Sequence, residues 1–289
     1  MAACGESSRH GRVTLSPHAN DNRDAMTAAA RFRALHTQGL FRLANAWDAG
    51  TARLIEHLGA PAVATTSAGL AWAQGYPDGD ALDVDALVNA VSSITRVIRV
   101  PLTVDVEGGY SDDPAAVAAT VLRVVRAGAA GINLEDGAGD PARLAAKIQA
   151  IREACVAHDL DVFINARTDV YLRSLVAENA RIDETLARAA RYRAAGTDGL
   201  FVPGLVDADA IRTLASQCGL PLNVMLRPPL RDLAALERLG VRRISTGSAL
   251  AESMYGQLAA QVDTFLHADT TPLPDPQAMG YGAINGLFG

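Results

Sequence analysis

Residues 102–136 read LTVDVEGGYSDDPAAVAATVLRVVRAGAAGINLED. Two short runs, Leu102–Glu107 and Gly131–Asp136, flank an amphipathic stretch rich in Ala and Val, Pro114–Ala127. Asp113-Pro114 places a helix N-cap and a first-turn proline in order, and Gly128 closes the helix just before the next strand. Strand, helix and strand in that order make one βαβ unit, with parallel strands joined by a right-handed crossover. Both strands end in acids: Asp105 and Glu107 on the first, Glu135 and Asp136 on the second.

The same alternation runs outward in both directions. Strand candidates are Phe41–Trp47, Ala62–Ser67, Leu102–Glu107, Gly131–Asp136, Val162–Asp169, Gly199–Pro203, Leu222–Leu226 and Arg243–Thr246. Helical stretches such as Val84–Ile98, Pro141–His158, Ile182–Ala195, Ala208–Gln217, Leu230–Leu239 and Ala249–His267 lie between and after them. Eight units in about 220 residues predict a closed (β/α)8 TIM barrel, α/β in class and a single domain. An open doubly wound sheet would carry a glycine-rich phosphate turn after its first strand. Here that strand ends in Asn45-Ala46-Trp47-Asp48. The expected layout is a disordered extension over 1–25, the barrel over 26–268, and a tail over 269–289 that packs on a partner subunit or frays.

Composition narrows the function. Of the 289 residues 49% are hydrophobic and only 5% aromatic, which suits a parallel sheet buried under Ala-rich helices. The formal charge of −6 argues against nucleic acid, which needs a basic surface. No apolar run is long enough for a membrane span. The first residues carry Arg9, Arg12, Asp21 and Asp24 and do not resemble a secretory signal, so a cytoplasmic protein is expected. Cys4, Cys155 and Cys218 have no metal-binding spacing, and His36, His57, His158 and His267 fall in helical stretches as surface residues.

Polar residues gather where barrel enzymes work, at the carboxyl ends of the strands. Asp105 and Glu107, two apart, point the same way, and Glu135 is expected beside them on the neighbouring strand. Three convergent carboxylates call for a cation, and oxygen-only ligation points to Mg²⁺, with Mn²⁺ as the substitute. Arg167 suits a bidentate clamp on a substrate carboxylate; its plainer alternative is a salt bridge to Glu135 or Glu107. Thr66, Ser67 and Ala68 form a small-residue strand end whose N–H groups can approach an oxyanion. Asn223 closes the set on the seventh strand. Asp78, in a Tyr-Pro-Asp-Gly loop, reads equally as a site acid and as an ordinary turn.

At these residues the sequence resembles the isocitrate lyase/phosphoenolpyruvate mutase superfamily. The matching blocks are Thr65–Asp78, Val104–Tyr110, Gly131–Asp136, Asn165–Tyr171, Phe201–Leu205 and Pro221–Val224. The resemblance implies a Mg²⁺-dependent barrel that makes or breaks C–C or P–C bonds in 2-oxo carboxylates. It implies Asp105 as main metal ligand, with Glu107 and Glu135 acting through bound waters. It also implies Thr66, Ser67 and Ala68 around the substrate's carboxylate and oxo oxygen, Arg167 in the same site, and Asp78 as the loop acid. The departures are as informative. Isocitrate and methylisocitrate lyases carry a cysteine lid after the fourth strand, whereas here Asp136 is followed only by Gly137-Ala138-Gly139-Asp140 before Pro141. The mutases' lid is also absent, and Pro203 stands where their histidine would be.

Decarboxylation of a β-oxo acid such as oxaloacetate makes the fewest demands on what remains. A metal-bound carbonyl is the electron sink and no protein base acts first. The expectation is therefore a Mg²⁺-dependent lyase or decarboxylase of a small 2-oxo or 2-hydroxy carboxylate, working through a metal-stabilised enolate in a homo-oligomer, dimer or tetramer. A P–C bond enzyme using Asp78, a phosphoenolpyruvate mutase or phosphonopyruvate hydrolase, is the first alternative. A metabolite-binding barrel without catalysis is the second.

Overall fold

A computed structural model describes residues 26–270 and 278–289. The expected extension over 1–25 and the Pro-rich stretch 271–277 lie outside the described residues. Nine short strands form one all-parallel sheet. They are β1 (Phe41–Leu43), β2 (Asn45–Ala46), β3 (Val63–Thr65), β4 (Leu102–Asp105), β5 (Gly131–Glu135), β6 (Phe163–Arg167), β7 (Gly199–Phe201), β8 (Leu222–Met225) and β9 (Arg243–Ser245). The first two are one predicted strand interrupted at Ala44. β1 pairs with β9 and β2 with β3, so this interrupted strand closes the barrel. Asn45 stitches the seam. Its Oδ1 accepts from the N–H groups of Thr246 and Gly247, and its Nδ2 donates to the Thr65 carbonyl at 2.7 Å.

The helices outside the barrel are α2 (Ala49–His57), α3 (Ser67–Ala73), α4 (Val84–Val97), α5 (Pro114–Arg126), α6 (Pro141–Ala157), α7 (Arg181–Ala195), α8 (Ala208–Gln217), α9 (Leu233–Arg238) and α10 (Ala249–His267). Side-chain caps from Asp48, Asp113, Asp140, Asp207 and Asp232 hold helix N-termini at the carboxyl face of the sheet. Alternation along each strand then divides the core. Outward residues such as Val104, Ile132, Ile164 and Val224 pack under the helices. The architecture is the predicted single-domain (β/α)8 barrel.

The N-terminal end of the barrel holds what periodicity did not reveal. A first helix, α1 (Ala28–Ala34), caps it and inserts Phe32, which is fully buried among Phe41, Leu43, Ala64 and Phe163. A Cβ on Gly131 would lie 2.9 Å from the Phe32 ring, so the fifth strand starts with glycine to admit the plug. His36 is a correction to the expectation of a surface residue. It is 5% exposed and stacks on Phe163 at 4.3 Å, because α1 turns inward where an isolated amphipathic reading would leave it outside.

The last helical elements sit differently. In α10 only Ala251 is buried, and Met254, Leu258, Phe265 and Leu266 are each more than half exposed. A further short helix, α11 (Tyr281–Asn285), leads to Leu287, which is buried and accepts a hydrogen bond from Arg53 of α2 at 2.6 Å. Among the described residues no helix is long and apolar enough to cross a membrane.

Candidate active site

Parallel register assembles the site. Asp105 faces Asn133 on β5, Asn133 faces Asn165 on β6, and Glu135 faces Arg167. Asp105, Asn133, Asn165 and Asn223 are all buried. Asn133 links the layers: its Oδ1 accepts from Asn165 Nδ2 at 2.9 Å and from Arg243 Nη2 at 3.3 Å. That leaves its amide nitrogen to donate to Asp105. The Asp105 carboxylate also accepts the Glu107 N–H at 3.1 Å, and its own N–H donates to Thr65 Oγ1.

Three carboxylates are held where water solvates them poorly. Burial pushes Asp105 above the usual carboxylate range, with Arg167 opposing and Asp78 adding to the rise. Burial likewise lifts Glu107 to about 7 and Glu135 to about 8. Each acid has turned to a donor. Glu135 meets Arg167 Nη1 at 2.5 Å, while Glu107 accepts the backbone N–H of Asp80 and the Tyr110 hydroxyl. Among the described residues no three His, Cys, Asp or Glu side chains already stand close enough together to enclose a metal ion. The expected convergence of Asp105, Glu107 and Glu135 is not formed here, because Glu107 is held by Asp80 and Tyr110 and Glu135 by Arg167. Like charges separate toward N–H donors, and a hard divalent cation would draw the same oxygens inward. An all-oxygen donor set of desolvated acids fits such a cation.

Arg167 makes the salt bridge of its plainer reading and spends its forked face on Asp169. Its Nε and Nη2 grip Asp169 at 2.7 and 3.0 Å, and its Nη1 holds Glu135. Burial disfavours its charge, but Glu135 and Asp169 outweigh this and keep the guanidinium firmly protonated. Thr66, Ser67 and Ala68 form the start of α3, where Thr66 is the N-cap. The first bond inside that helix runs from Leu70 N to Thr66 O, so the N–H groups of Ser67 and Ala68 precede it. Neither polar atom of the Asn223 side chain has a partner, although the residue is buried. Such an orphaned amide is expected to meet water or a ligand. Asp78 is exposed on the loop after α3, near enough for its charge to act on Asp105 and Glu107. Asp136 faces away, into Arg188 and Tyr192 of α7, as the alternation beside Glu135 requires.

The family model for phosphoenolpyruvate phosphomutase matches residues 32–266. The chain belongs to this family. It lies in the phosphoenolpyruvate mutase/isocitrate lyase superfamily, whose members are lyases and mutases and are typically dependent on divalent metals. An uncharacterized protein of Mycobacterium tuberculosis is 39% identical over 222 residues, covering 75% of this chain and 81% of that protein. The oxaloacetate decarboxylase of Pseudomonas aeruginosa is 30% identical over 230 residues, covering 76% and 79%. A solved Burkholderia cenocepacia structure with a provisional phosphonomutase assignment is 40% identical, with a TM-score of 0.77 over 82% of this chain and 98% of that one.

Within this phosphomutase-family barrel, sequence reasoning missed three residues. Asp80, two positions beyond Asp78, binds the turn that carries Glu107. Lys147 of α6 is buried and donates to the Gly108 carbonyl at 2.7 Å. Arg243 stands inside the barrel below Asn133, its Nε and Nη1 without partners, and burial lowers it to about 9. Only Arg243 left a signal, as a charge at an inward position of an apolar strand.

Proposed function

We propose that this chain is a Mg²⁺-dependent carbon–carbon lyase that decarboxylates a small 2-oxo dicarboxylate of the oxaloacetate type. The observation that carries the reading is what stands, and does not stand, over the acids. The connection from β5 to α6 is only Asp136 to Asp140. Among the described residues no thiol or imidazole reaches this face. His57 and His158 close α2 and α6 at the opposite end, His36 lies under the plug, and Cys155 and Cys218 are buried away from it. A reaction that begins with proton removal by a thiolate or an imidazole lacks that group here. Loss of CO₂ from a β-oxo acid needs no base before the bond breaks.

When bound, the cation would act as the Lewis acid that draws the electrons of the breaking C–C bond toward the 2-oxo group. Asp105, with Glu107 and Glu135 around it, would hold that cation. Arg167 orients the substrate carboxylate, exchanging part of its grip on Glu135 for the ligand. The N–H groups of Ser67 and Ala68 receive negative charge at the oxo oxygen, and Asn223 offers its unpartnered amide. The resemblance to oxaloacetate decarboxylase over most of both chains supports the substrate class. A panel of 2-oxo acids assayed with Mg²⁺ tests this reading. Turnover of oxaloacetate supports it, and turnover confined to other oxo acids or to none rejects it.

One observation favours a second reading. Asp78 is exposed beside the acids, as a phosphoryl acceptor would be, and the family model itself is that of a phosphomutase. Conversion of phosphonopyruvate followed by ³¹P NMR separates the two.

We further propose that the chain works as a homo-oligomer whose partner is a second copy of itself. Among the described residues no helix covers the outer wall at β9 and β1. Arg42, Ile55, Leu58, Leu233 and Ile244 line a largely apolar groove there, about 810 Å³ in volume, between α2 and α9. The helix due at that place, α10, instead carries its Leu and Phe side chains in solvent. The α10 of a second copy would fill the groove. Sedimentation of wild type as a monomer at micromolar concentration would reject this, and conversion of an oligomer to monomer by Leu258→Glu would support it.

A further inference from the structure

The strand end that carries Glu107 has unusual backbone. Glu107 and Tyr110 have φ of 50° and 59°, and Asp80, on the loop facing them, has 56°. Left-handed conformations at three non-glycine residues persist only where their surroundings over-determine them. The surroundings are specific. The Asp80 Oδ1 accepts the N–H groups of Gly108 and Tyr110 at 3.2 and 3.1 Å, and the Asp80 N–H donates in return to Glu107 Oε2. From the other side the buried Lys147 donates to the Gly108 carbonyl. The Gly108 peptide is thus held at both ends. The fit leaves no room for a side chain, since a Cβ on Gly108 would lie 2.8 Å from Asp80 Oδ2.

We infer that Asp80 is a positioning residue for the metal site. It latches the loop 74–83 onto the turn 107–110, so that Glu107 and the loop acid Asp78 are set as one unit around Asp105. Asp80 makes no contact with Asp105 and has no need to touch substrate. It acts through the backbone of residues 108–110 and through Glu107. Lys147 completes the device from α6, which gives a buried ammonium group in this region a use other than acid–base chemistry. The inference rests on the metal reading given above and extends it to a residue outside the carboxylate set.

Asp80 is exposed, so its replacement leaves the core packing untouched. Two measurements on the full chain test its role, and neither uses substrate. One is Mn²⁺ affinity by electron paramagnetic resonance titration. The other is amide hydrogen exchange of the segment 74–83 in metal-free protein. Asp80→Ala removes both acceptor bonds. It should weaken Mn²⁺ binding roughly tenfold or more, and segment 74–83 should exchange faster. Asp80→Asn keeps Oδ1 as an acceptor and should remain close to wild type. Gly108→Ala drives a Cβ into the latch and should reproduce the alanine variant. The inference is overturned if Asp80→Ala binds Mn²⁺ as wild type does, if its loop exchange is unchanged, or if Asp80→Asn is damaged equally. Failure of oxaloacetate turnover would reject the proposed reaction while leaving both readouts as they are.

Discussion

The two ends of this barrel are built on opposite principles from the same strands. At the N-terminal end Phe32, Phe41, His36 and Phe163 meet in edge-to-face and stacked contacts with centroids 4.3–5.9 Å apart. Among the described residues no carboxylate is buried with them. At the carboxyl end three acids are desolvated and their backbone turns back on itself at Glu107 and Tyr110. One end maximises apolar burial, while the other accepts desolvation and left-handed backbone to hold charge. The difference teaches where to expect loss of stability and where to expect loss of activity.

That division can be broken experimentally. The largest effect should come from Asp105→Ala, which on the proposed chemistry lowers kcat/KM by about 10⁴-fold or more. Its urea midpoint should hold or rise, because an acid that burial pushes toward protonation is removed. A large loss of stability with retained turnover would erase the contrast. Next, Phe32→Ala should cost about 3–5 kcal/mol by chemical denaturation, while the folded fraction keeps its activity. Third, Arg167→Lys keeps a charge but loses the forked grip on Asp169, and should lower kcat/KM roughly 10²-fold with little change in melting temperature.

The last prediction concerns His36. Burial holds its imidazole down to about 3, with the charge of Arg243 acting the same way. An unfolded histidine takes up its proton near pH 6.5, so between those values the unfolded chain binds more protons. The stability tied to His36 is complete above about pH 6.5 and is lost as pH falls toward 3, at up to about 1.4 kcal/mol per pH unit. His36→Phe should flatten the fall of the urea midpoint across that window. An unchanged slope would show that the acid sensitivity lies elsewhere.

Much of the barrel was legible because strand and helix alternate with clean caps, as Asp113-Pro114 and Asp140-Pro141 show. What escaped depends on tertiary placement. Helix α1 is short, and its importance lies in Phe32 entering a space that Gly131 vacates on a strand about a hundred residues away. The start of α3 read as a small-residue strand end, whereas Thr66 is the N-cap of a helix that begins at Ser67. In the site, the spacing of Asp105 and Glu107 predicts both side chains on one face of a strand, but β4 ends at Asp105 and Glu107 lies in the turn beyond it with φ of 50°. The pairing of Glu135 with Arg167 on the neighbouring strand was the plainer of the two readings of Arg167, whereas that of Glu107 with Asp80 was invisible, since pairing across loops leaves no trace in spacing. Asp80 escaped for the same reason: its neighbour Asp78 looked like the loop's only chemistry.

The central claim is that the acids of the carboxyl face serve a divalent metal in breaking a C–C bond. The most direct measurement is pyruvate formation from oxaloacetate by chelator-stripped protein as Mg²⁺ is added back, with Asp105→Ala correcting for decarboxylation by free Mg²⁺. The account predicts saturable turnover that appears only with Mg²⁺ and is absent from the variant. Wild type and variant giving the same rate at every Mg²⁺ concentration would contradict it.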